Sequence, residues 1–472
     1  MKSNQKRNVI IAAVTTLLFS LCIPLFGIPT VSASEMTHID VSQAERSDTT
    51  TVGAIRWDAW YGHDGVPGSV ISQVEDTLSP AQYHFRAPFF ATVTEEGRIE
   101  IPEYTQEIFD REMEYAMEAG LDYFAYVWYN YDGLRNAREF HVQSRYRNEV
   151  KICACLDDNA IGNPQAQADL EALFREDCYM TVLDGRPLMF YFGTGSNADA
   201  IARDIEQYRH IAESLGIPAP YAVVMGYDTD TVRDLYGDAV STYAQFGTND
   251  MTFAQLAESA QRTWKKWRRS GVQLVPNVTF GWHPAPRLET PCDWTGAYPT
   301  NSWVDYATDQ ELINHLSYAL SYANHPETAD AMMANTVIIY GWNEHDEGGW
   351  ICPTIEVDAD GNQLFHEDGS PKINDSHLKA VKTAIEKYQN GDLPELTING
   401  VSHIAQAPKE TTEETAVTTA EETIGAVTDE VTDMQEHPAK PGKGCASLLG
   451  AGGIGLATVA AAAILLVKRK ES

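Results

Sequence analysis

The stretch "GWNEHDEGGW" (341–350) holds two glutamates three positions apart, Glu344 and Glu347. It follows directly on the apolar run "NTVIIY" (335–340). If the stretch curls helically, side chains at this spacing share one face, with Cβ atoms about 5–6 Å apart. Glycoside cleavage needs two such groups, an acid for the leaving oxygen and a second carboxylate as nucleophile or base. The spacing therefore predicts a catalytic carboxylate pair, against the alternative of a solvated acidic turn.

A metal site in the same stretch is the weaker interpretation. His345, Asp346 and Glu347 are consecutive ligand types, but adjacent residues rarely converge on one ion, and no HExxH-like spacing occurs. The segment "DADGNQ" (358–363) resembles a calcium loop but has Gly369 where the twelfth-position glutamate would stand. It is better interpreted as a hairpin turn. We therefore expect no metal and no cofactor.

Short, nearly continuous apolar runs recur along the middle of the chain. Such runs are typical of parallel strands that are covered on both faces. Eight candidate strands are "AIRWDAWY" (54–61), "YFAYVWY" (123–129), "VKICACL" (150–156), "PLMFYFG" (187–193), "YAVVMGY" (221–227), "VSTYAQF" (240–246), "VQLVPNVTF" (272–280) and "NTVIIYGW" (335–342).

Amphipathic segments lie between several of these runs and predict helices over 103–120, 199–216, 253–271 and 307–324. Alternating strands and helices over about 350 residues indicate an α/β fold, a (β/α)8 TIM barrel with elaborated loops. The rival is a doubly wound open sheet, whose usual sign is a glycine-rich turn after the first strand. Here "WYGHDG" follows that strand, and the GxG in "GTGSNADA" (193–200) is a weak signal alone.

In such a barrel the active site lies at the carboxyl ends of the strands. The residues at these ends are mostly aromatic or carboxylic. Trp and Tyr can stack on the C–H faces of sugars, and Asp, Asn and Arg can bind sugar hydroxyls, although a single aromatic at a strand end is more often core packing. The predicted substrate-binding residues are Asp58, Trp60, Tyr61, Tyr129, Trp282, Arg287, Asn343 and Trp350.

The two ends of the chain predict export and anchoring. A basic start, an apolar stretch and the small residues "VSAS" indicate a signal peptide over 1–33, with a retained membrane helix as the alternative. The uncharged stretch within 445–467 is long enough to span a bilayer, and the basic tail 468–472 marks the cytoplasmic side. The other predicted segments are a linker (34–50), the barrel domain (51–400) and an acidic Thr/Glu-rich stalk expected to be disordered (401–444). We therefore expect a cell-surface protein on a C-terminal transmembrane helix, unless processing removes that tail.

Composition excludes some classes of partner. The 472 residues carry a formal net charge of −33, which argues against nucleic acid, since phosphate binding needs clustered Lys and Arg. Aromatic residues make up 10% of the chain, enough for a large core. The cysteines between the two ends are Cys153, Cys155, Cys178, Cys292 and Cys352, an odd number that we interpret as core residues and not a disulfide framework.

The motif "WNEHDEGGW" resembles the "NEWHEG"-type motif of glycoside hydrolase family 99, the endo-α-mannosidases and mannanases, whose relatives include the family 71 α-glucanases. Weaker likenesses follow in the family's order: "AIRWDAWYG", "AGLDYFAYVWY", "LDGRPLMFYF" and "TFGWHPAPRLETP". The resemblance covers about residues 53–355. It implies a (β/α)8 barrel that cleaves internal α-mannosidic linkages with retention, through a 1,2-anhydro sugar intermediate.

Carried onto this chain, the resemblance gives Glu344 the role of general base toward the sugar 2-hydroxyl, and Glu347 that of acid. His345 and Asp346 stand where the family pattern has Trp and His. The expectation is an extracellular, membrane-anchored glycoside hydrolase that acts on an α-linked oligo- or polysaccharide, α-mannan-like or α-glucan. The alternative is a non-catalytic carbohydrate-binding surface protein. A glycosyltransferase-associated domain is disfavoured, because sugar-nucleotide donors are cytoplasmic.

Overall fold

The structure is a computed structural model that describes residues 37–59, 68–129, 135–192, 198–293, 295 and 302–408. Within these ranges, nine strands pair in parallel in one curled sheet. They are β1 (Thr51–Arg56), β2 (Tyr123–Trp128), β3 (Lys151–Leu156), β4 (Arg186–Phe192), β5 (Tyr221–Met225), β6 (Ala239–Ser241), β7 (Gln273–Leu274), β8 (Asn277–Thr279) and β9 (Thr336–Tyr340).

The pairing order is β7–β6–β5–β4–β3–β2–β1–β9–β8. Its two ends, β7 and β8, belong to one stretch of chain that is interrupted at Pro276, which has no N–H for the ladder. The first half of this stretch pairs with β6, as Gln273 opposite Ala239, and the second half with β9, as Asn277 opposite Ile338. The predicted α/β class is confirmed as a curled, barrel-like parallel sheet with helices.

The helices follow the strands in alternation. They are α1 (Val70–Leu78), α2 (Gln106–Ala119), α3 (Asn136–Gln143), α4 (Pro164–Leu173), α5 (Ala198–Leu215), α6 (Thr229–Asp234), α7 (Phe253–Arg268), α8 (Ala285–Glu289), α9 (Asp309–Ala323) and α10 (Ser376–Gln389). The end signals of α2 act as expected: the Thr105 hydroxyl accepts from the N–H of Ile108, and Gly120 takes the left-handed conformation at φ 82°.

Several strand boundaries differ from those predicted, most of all in the first and sixth strands. The first strand begins at Thr51, three residues before the apolar run, because Thr51 pairs with Thr336 of β9. A run defined by hydrophobicity misses threonine and glycine that join a ladder. The sixth strand ends at Ser241, and the residues from Thr242 to Phe246 leave the ladder at its carboxyl end.

Short hairpins elaborate the connections. They pair Thr92–Val93 with Ile99–Glu100, Asn343–Glu344 with Gly349–Trp350, Thr354–Ile355 with Ile373–Asn374, and Leu396–Ile398 with Val401–His403, while Thr181–Val182 adds to β4. The hairpin at 396–403 crosses the predicted start of the stalk at residue 401. The domain boundaries themselves stay predictions.

The predicted signal peptide (1–33), transmembrane helix (445–467) and tail (468–472) lie outside the described residues. In the part of the chain that the structure describes, no helix combines the length and apolarity needed to cross a membrane.

Tyr123 ties three adjacent strands together near the amino end of the sheet. Its hydroxyl lies 2.9 Å from the Thr336 hydroxyl of β9, so its ring crosses β1. At the crossing stands Gly53, where an added Cβ would lie 2.2 Å from the Tyr123 ring. Gly53 therefore provides the space through which β2, β1 and β9 are joined.

Gly53→Ala is expected to destabilise the fold by about 1–3 kcal/mol, since overpacking a filled core displaces the ring and its hydrogen bond. Urea unfolding monitored by tryptophan fluorescence measures the change. Because the clash is with one ring, Gly53→Ala should cost less in a Tyr123→Leu background than in the wild type. Equal costs in the two backgrounds would contradict the contact.

Candidate active site

The stretch with the two glutamates forms a tight hairpin after β9. Asn343 pairs with Trp350 and Glu344 with Gly349, and a turn lies between them. The carbonyl of Glu344 accepts from the N–H of Glu347 at 3.2 Å and from that of Gly348 at 3.0 Å. These bonds close a single helical turn, the curl that the three-residue spacing of the glutamates requires if both are to face one side.

Two glycines allow this hairpin to pack closely. A Cβ on Gly348, whose φ is 85°, would lie 2.8 Å from the His283 backbone nitrogen. A Cβ on Gly349 would lie 2.3 Å from the Tyr340 ring. With no side chain at either position, the His283 N–H donates to the Glu347 carbonyl at 2.6 Å. The turn is thereby joined to the segment that follows β8.

The base of the hairpin is fixed to the end of β1. The Asn343 side chain accepts from the N–H of Trp57 at 2.9 Å and donates to its carbonyl at 2.6 Å. The Trp342 N–H donates to the Ile55 carbonyl at 2.6 Å. Asn343 was predicted to bind substrate, and the structure shows its amide occupied by this backbone.

Arg287 of α8 faces three carboxyl groups. Its Nε and Nη2 each donate to Asp346 at 2.7 Å, in a bidentate pair. Its Nη1 donates to Glu347, and its Nη2 lies 3.5 Å from a Glu344 oxygen. All four side chains are buried. One guanidinium therefore holds both predicted catalytic glutamates and the acidic residue between them.

Each glutamate also has a tyrosine partner on its other oxygen. The Tyr243 hydroxyl donates to Glu344, and the Tyr340 hydroxyl donates to Glu347. Tyr340 is the last residue of β9, whereas Tyr243 lies two residues past β6, stacked on Phe192 at 4.2 Å between ring centroids. Side chains at the carboxyl ends of β4, β6 and β9 thus meet at the pair of glutamates.

The electrostatics of the pair favour a proton on Glu344. Burial raises the pKa of Glu344 well above its usual range, and the neighbouring Glu347 charge raises it further, while Arg287 and the Tyr243 hydroxyl act in the opposite direction. Burial also raises the pKa of Tyr243 and of Tyr340, so both phenols stay neutral donors. The surroundings of Glu344 therefore favour its protonated form.

Trp57 and Tyr129 adjoin this cluster. The Trp57 ring centroid lies 5.0 Å from the Arg287 guanidinium carbon, and its indole donates to the Tyr129 hydroxyl at 3.1 Å. Burial and the charges of Asp157 and Glu344 raise the pKa of Tyr129. The structure therefore places Tyr129 at the predicted site. Trp57 lies there too, although it was not among the predicted substrate-binding residues.

Asp58 is not brought to the cluster. Its carboxylate pairs with Arg56 at 2.8 Å, and Arg56 also binds Glu112 of α2 at 2.9 Å. Burial raises the pKa of Asp58 to about 6. Asp58 therefore belongs to a charge network with Arg56 and Glu112, and not to the cluster around Arg287. Trp60 and Tyr61 lie outside the described residues.

Of the three predicted tryptophans, Trp282 and Trp350 lie within the described residues. Trp282 is buried, with its indole donating to the Ser302 hydroxyl at 2.9 Å. Trp350 is buried and stacks on the ring of His345 at 6.0 Å. Of the two residues between the glutamates, His345 packs into the core and Asp346 binds Arg287.

Sequence reasoning missed Tyr243, Tyr340 and Arg86. Tyr340 ends a run that had been interpreted as core, and Tyr243 lies inside the predicted sixth strand, so neither stood out. Both are tyrosines at the carboxyl end of a strand, which is the signal that could have identified them. Arg86 donates to the carbonyls of His283, at 2.9 Å, and His345, at 3.2 Å, and nothing in its local sequence indicates this.

Comparisons with known proteins complete the description. No family model and no curated protein matches the chain. Among solved structures it is similar to a GH99 endo-α-mannosidase from Bacteroides thetaiotaomicron (14% identity, TM-score 0.45, 73% of this chain and 98% of that one) and to the same enzyme with bis-tris-propane (13%, 0.45, 72% and 97%). It is also similar to a GH138 enzyme targeting pectin rhamnogalacturonan II (12%, 0.33, 73% and 39%). The first two are of the family that the motifs resemble.

Proposed function

We propose that this protein is a glycoside hydrolase that cleaves an α-linked oligo- or polysaccharide, α-mannan-like or α-glucan, with Glu344 and Glu347 as its catalytic pair. One observation carries the proposal. The two glutamates lie on one turn at the carboxyl end of a barrel-like sheet, bound to the same guanidinium and each to its own tyrosine. Two positioned carboxyl groups of this kind are what glycoside cleavage requires.

The shared guanidinium supports retention of configuration. Two carboxyl groups that contact one Arg287 lie close to each other, whereas inverting enzymes keep theirs about 6.5–9.5 Å apart to admit a water. For an α-mannan-like substrate, whose 2-hydroxyl is trans to the leaving group, we propose that Glu344 takes the proton of that hydroxyl as its oxygen attacks the anomeric carbon. Glu347 protonates the departing oxygen. Glu347 then takes a proton from a water that attacks the anomeric carbon of the 1,2-anhydro sugar, the bond from that carbon to the 2-oxygen breaks, and Glu344 returns the proton to the 2-oxygen.

These roles require one proton to be shared by the pair. The pKa of Glu344 is raised in the unliganded protein, whereas the proposed base must be ionised when it acts. Protons of strongly interacting carboxyl groups belong to the pair and not to either residue. The active form is therefore the singly protonated pair, with the proton on Glu347 once the sugar 2-hydroxyl meets Glu344.

A non-catalytic carbohydrate-binding function is the second candidate. Arg287 contacts both glutamates, and such ion pairs could fix them as structural groups. Binding of α-linked glycans without any release of shorter products would favour this candidate over hydrolysis.

Glu347→Gln and Glu344→Gln test the two glutamates separately. For an oligosaccharide substrate, each variant should lower kcat by about 10²–10⁴-fold. A dinitrophenyl glycoside of the same sugar needs no acid, because its leaving group departs unprotonated. The kcat/KM for release of dinitrophenolate, which reports the first step, should therefore fall much less in Glu347→Gln, whereas Glu344→Gln should lose activity on both substrates.

Stopped assays with both substrates measure these losses, and circular dichroism checks that each variant folds. The reverse pattern would assign the acid to Glu344. Full activity of both variants on the oligosaccharide would end the assignment of the pair.

Arg287 should also contribute to the stability of the fold. Arg287→Gln leaves buried carboxyl groups without their cation and should cost about 3–5 kcal/mol at neutral pH. Removing a cation that lowers the pKa of Glu344 raises that pKa further above its unfolded value. The protonated form is then increasingly favoured in the folded state, so the deficit should shrink as the pH falls.

Urea unfolding at pH 7.5 and pH 5 measures this difference. Arg98→Gln is the matched control, because Arg98 pairs with Asp76 at an exposed site, where removal costs about 0–1 kcal/mol. The proposed role of Arg287 would be contradicted if Arg287→Gln lowered the free energy of unfolding as little as Arg98→Gln does. It would also be contradicted if this loss of stability grew on acidification.

The localisation is also proposed, on the sequence alone. The apolar segments within 1–33 and 445–467 support an exported domain anchored by a C-terminal helix with a cytoplasmic tail. A tag added after Ser472 should resist protease on intact cells, whereas the barrel domain should be digested. Digestion of the tag before the cells are permeabilised would contradict this topology.

A further inference from the structure

The solvent-facing side of α7 carries a stripe of positive charge. The stretch "RTWKKWRR" (262–269) holds five basic residues and no acidic one, in a chain whose formal net charge is −33. The tryptophans of this stretch, Trp264 and Trp267, are buried in the core. Four of the cations stand at positions i, i+3, i+4 and i+7, which share one face of a helix. We refer to these four as the basic stripe: Arg262, Lys265, Lys266 and Arg269.

The fold makes little use of the basic stripe. Lys266 and Arg269 are exposed, and neither has a hydrogen bond or an ion pair with another described residue. Lys265 lies over an aromatic ring, and Arg262 pairs with Glu258 at 3.5 Å on the open surface. Cations stabilise a helix C-terminus only within its last turn, and like charges four residues apart repel each other. The stripe extends back to Arg262, so an anionic partner would relieve repulsion that the helix end does not offset.

The hairpin of 396–403 brings the end of the described chain to the same helix. Arg268, at the end of α7, donates to the Asn399 side chain at 3.3 Å and to the Glu327 carbonyl at 3.0 Å. The last described residue, Pro408, stands nine positions after Asn399. The chain beyond Pro408 therefore starts within a few residues of a segment that contacts α7.

This following part of the chain has the opposite charge. Residues 410–436, the acidic segment, include nine Asp and Glu residues and no Lys or Arg. Six of the nine recur as pairs at an interval of eight positions: Glu413–Glu414, Glu421–Glu422 and Asp429–Glu430. A flexible chain of about 20 residues has a root-mean-square span of about 25 Å. Each pair can therefore reach a stripe that extends about 10 Å along the helix.

We propose that the acidic segment binds to the basic stripe of α7 in the same molecule. Its tether to the barrel domain raises its effective concentration, so surface ion pairs that are weak singly act together. The contact does not depend on the proposed hydrolase activity. Because β7 follows α7, the stripe lies toward the amino end of the sheet, whereas Glu344 and Glu347 lie at the carboxyl end. The bound segment therefore leaves the candidate active site uncovered.

Carbodiimide cross-linking of the full chain in detergent micelles tests the contact, because this reagent joins an amine to a carboxylate that it touches. Mass spectrometry of the digested monomer should find Lys265 or Lys266 joined to a carboxylate of the acidic segment. Lys379 is the internal control, since it pairs with Asp375 at 2.8 Å and should be joined to it in every sample. Raising NaCl to about 0.5 M should reduce the stripe cross-links severalfold, because salt screens exposed charges.

Arg269→Glu reverses one charge of the stripe without removing either lysine. It should lower the yield of the Lys265 and Lys266 cross-links by about twofold to fivefold, as expected for the loss of one or two surface ion pairs. Arg175→Glu is the matched control, because it changes the net charge equally at an exposed residue after α4. An equal fall in the yield for Arg175→Glu would overturn the proposal.

Three other results would also overturn it. One is a cross-link between Lys379 and Asp375 without any link from the basic stripe to the acidic segment. Another is a link found only in covalent dimers, which would make a second copy of the chain the partner. The third is a loss of the links in vesicles of phosphatidylglycerol but not of phosphatidylcholine, which would assign the stripe to an anionic membrane surface.

Discussion

The site depends on one buried cation, Arg287, which faces Glu344, Asp346 and Glu347. Burying a carboxylate away from water is costly unless it is paired and hydrogen-bonded, and here three carboxyl groups lie within one turn. Without the guanidinium their mutual repulsion would open the hairpin or force each of them to take up a proton. Arg287 therefore makes it possible for the acidic groups to lie buried side by side, and Tyr243 and Tyr340 hold the second oxygen of each glutamate.

The surrounding backbone is arranged so that Arg287 can reach this turn. The residues that follow β8 approach the hairpin that follows β9 so closely that a Cβ on Gly281 would lie 2.1 Å from the Gly348 carbonyl oxygen. The His283 N–H donates to the Glu347 carbonyl, and α8 begins two residues later and carries Arg287. Gly281 after β8 and Gly348 after β9 thus let the two chain segments stay in contact beyond the sheet. These backbone contacts position α8 so that Arg287 reaches the carboxylates.

Much of this arrangement could be predicted from the sequence, because it depends on local patterns. Apolar runs identified the nine parallel strands of the sheet, two of them within the single run 272–280, and the placement of Glu344, Glu347 and Arg287 at one end follows from parallel strands. The side to which a residue points was harder to predict. Asp58 follows β1 as expected but joins Arg56 behind the strand, a pairing that depends on α2, which is distant in sequence. Arg287 was expected to bind sugar, but its guanidinium pairs with the acidic residues of the hairpin after β9. The conformation of that hairpin turn could not be predicted from the sequence.

The two residues that separate the glutamates give the cluster its charge balance. His345 is buried against Trp350 and adds no charge there, since burial lowers its pKa to about 3. Asp346 instead takes two of the donors of Arg287. A cation already engaged by one carboxylate compensates the remaining two only in part. Burial and the Glu347 charge raise the pKa of Glu344, and the Asp346 charge therefore adds to them.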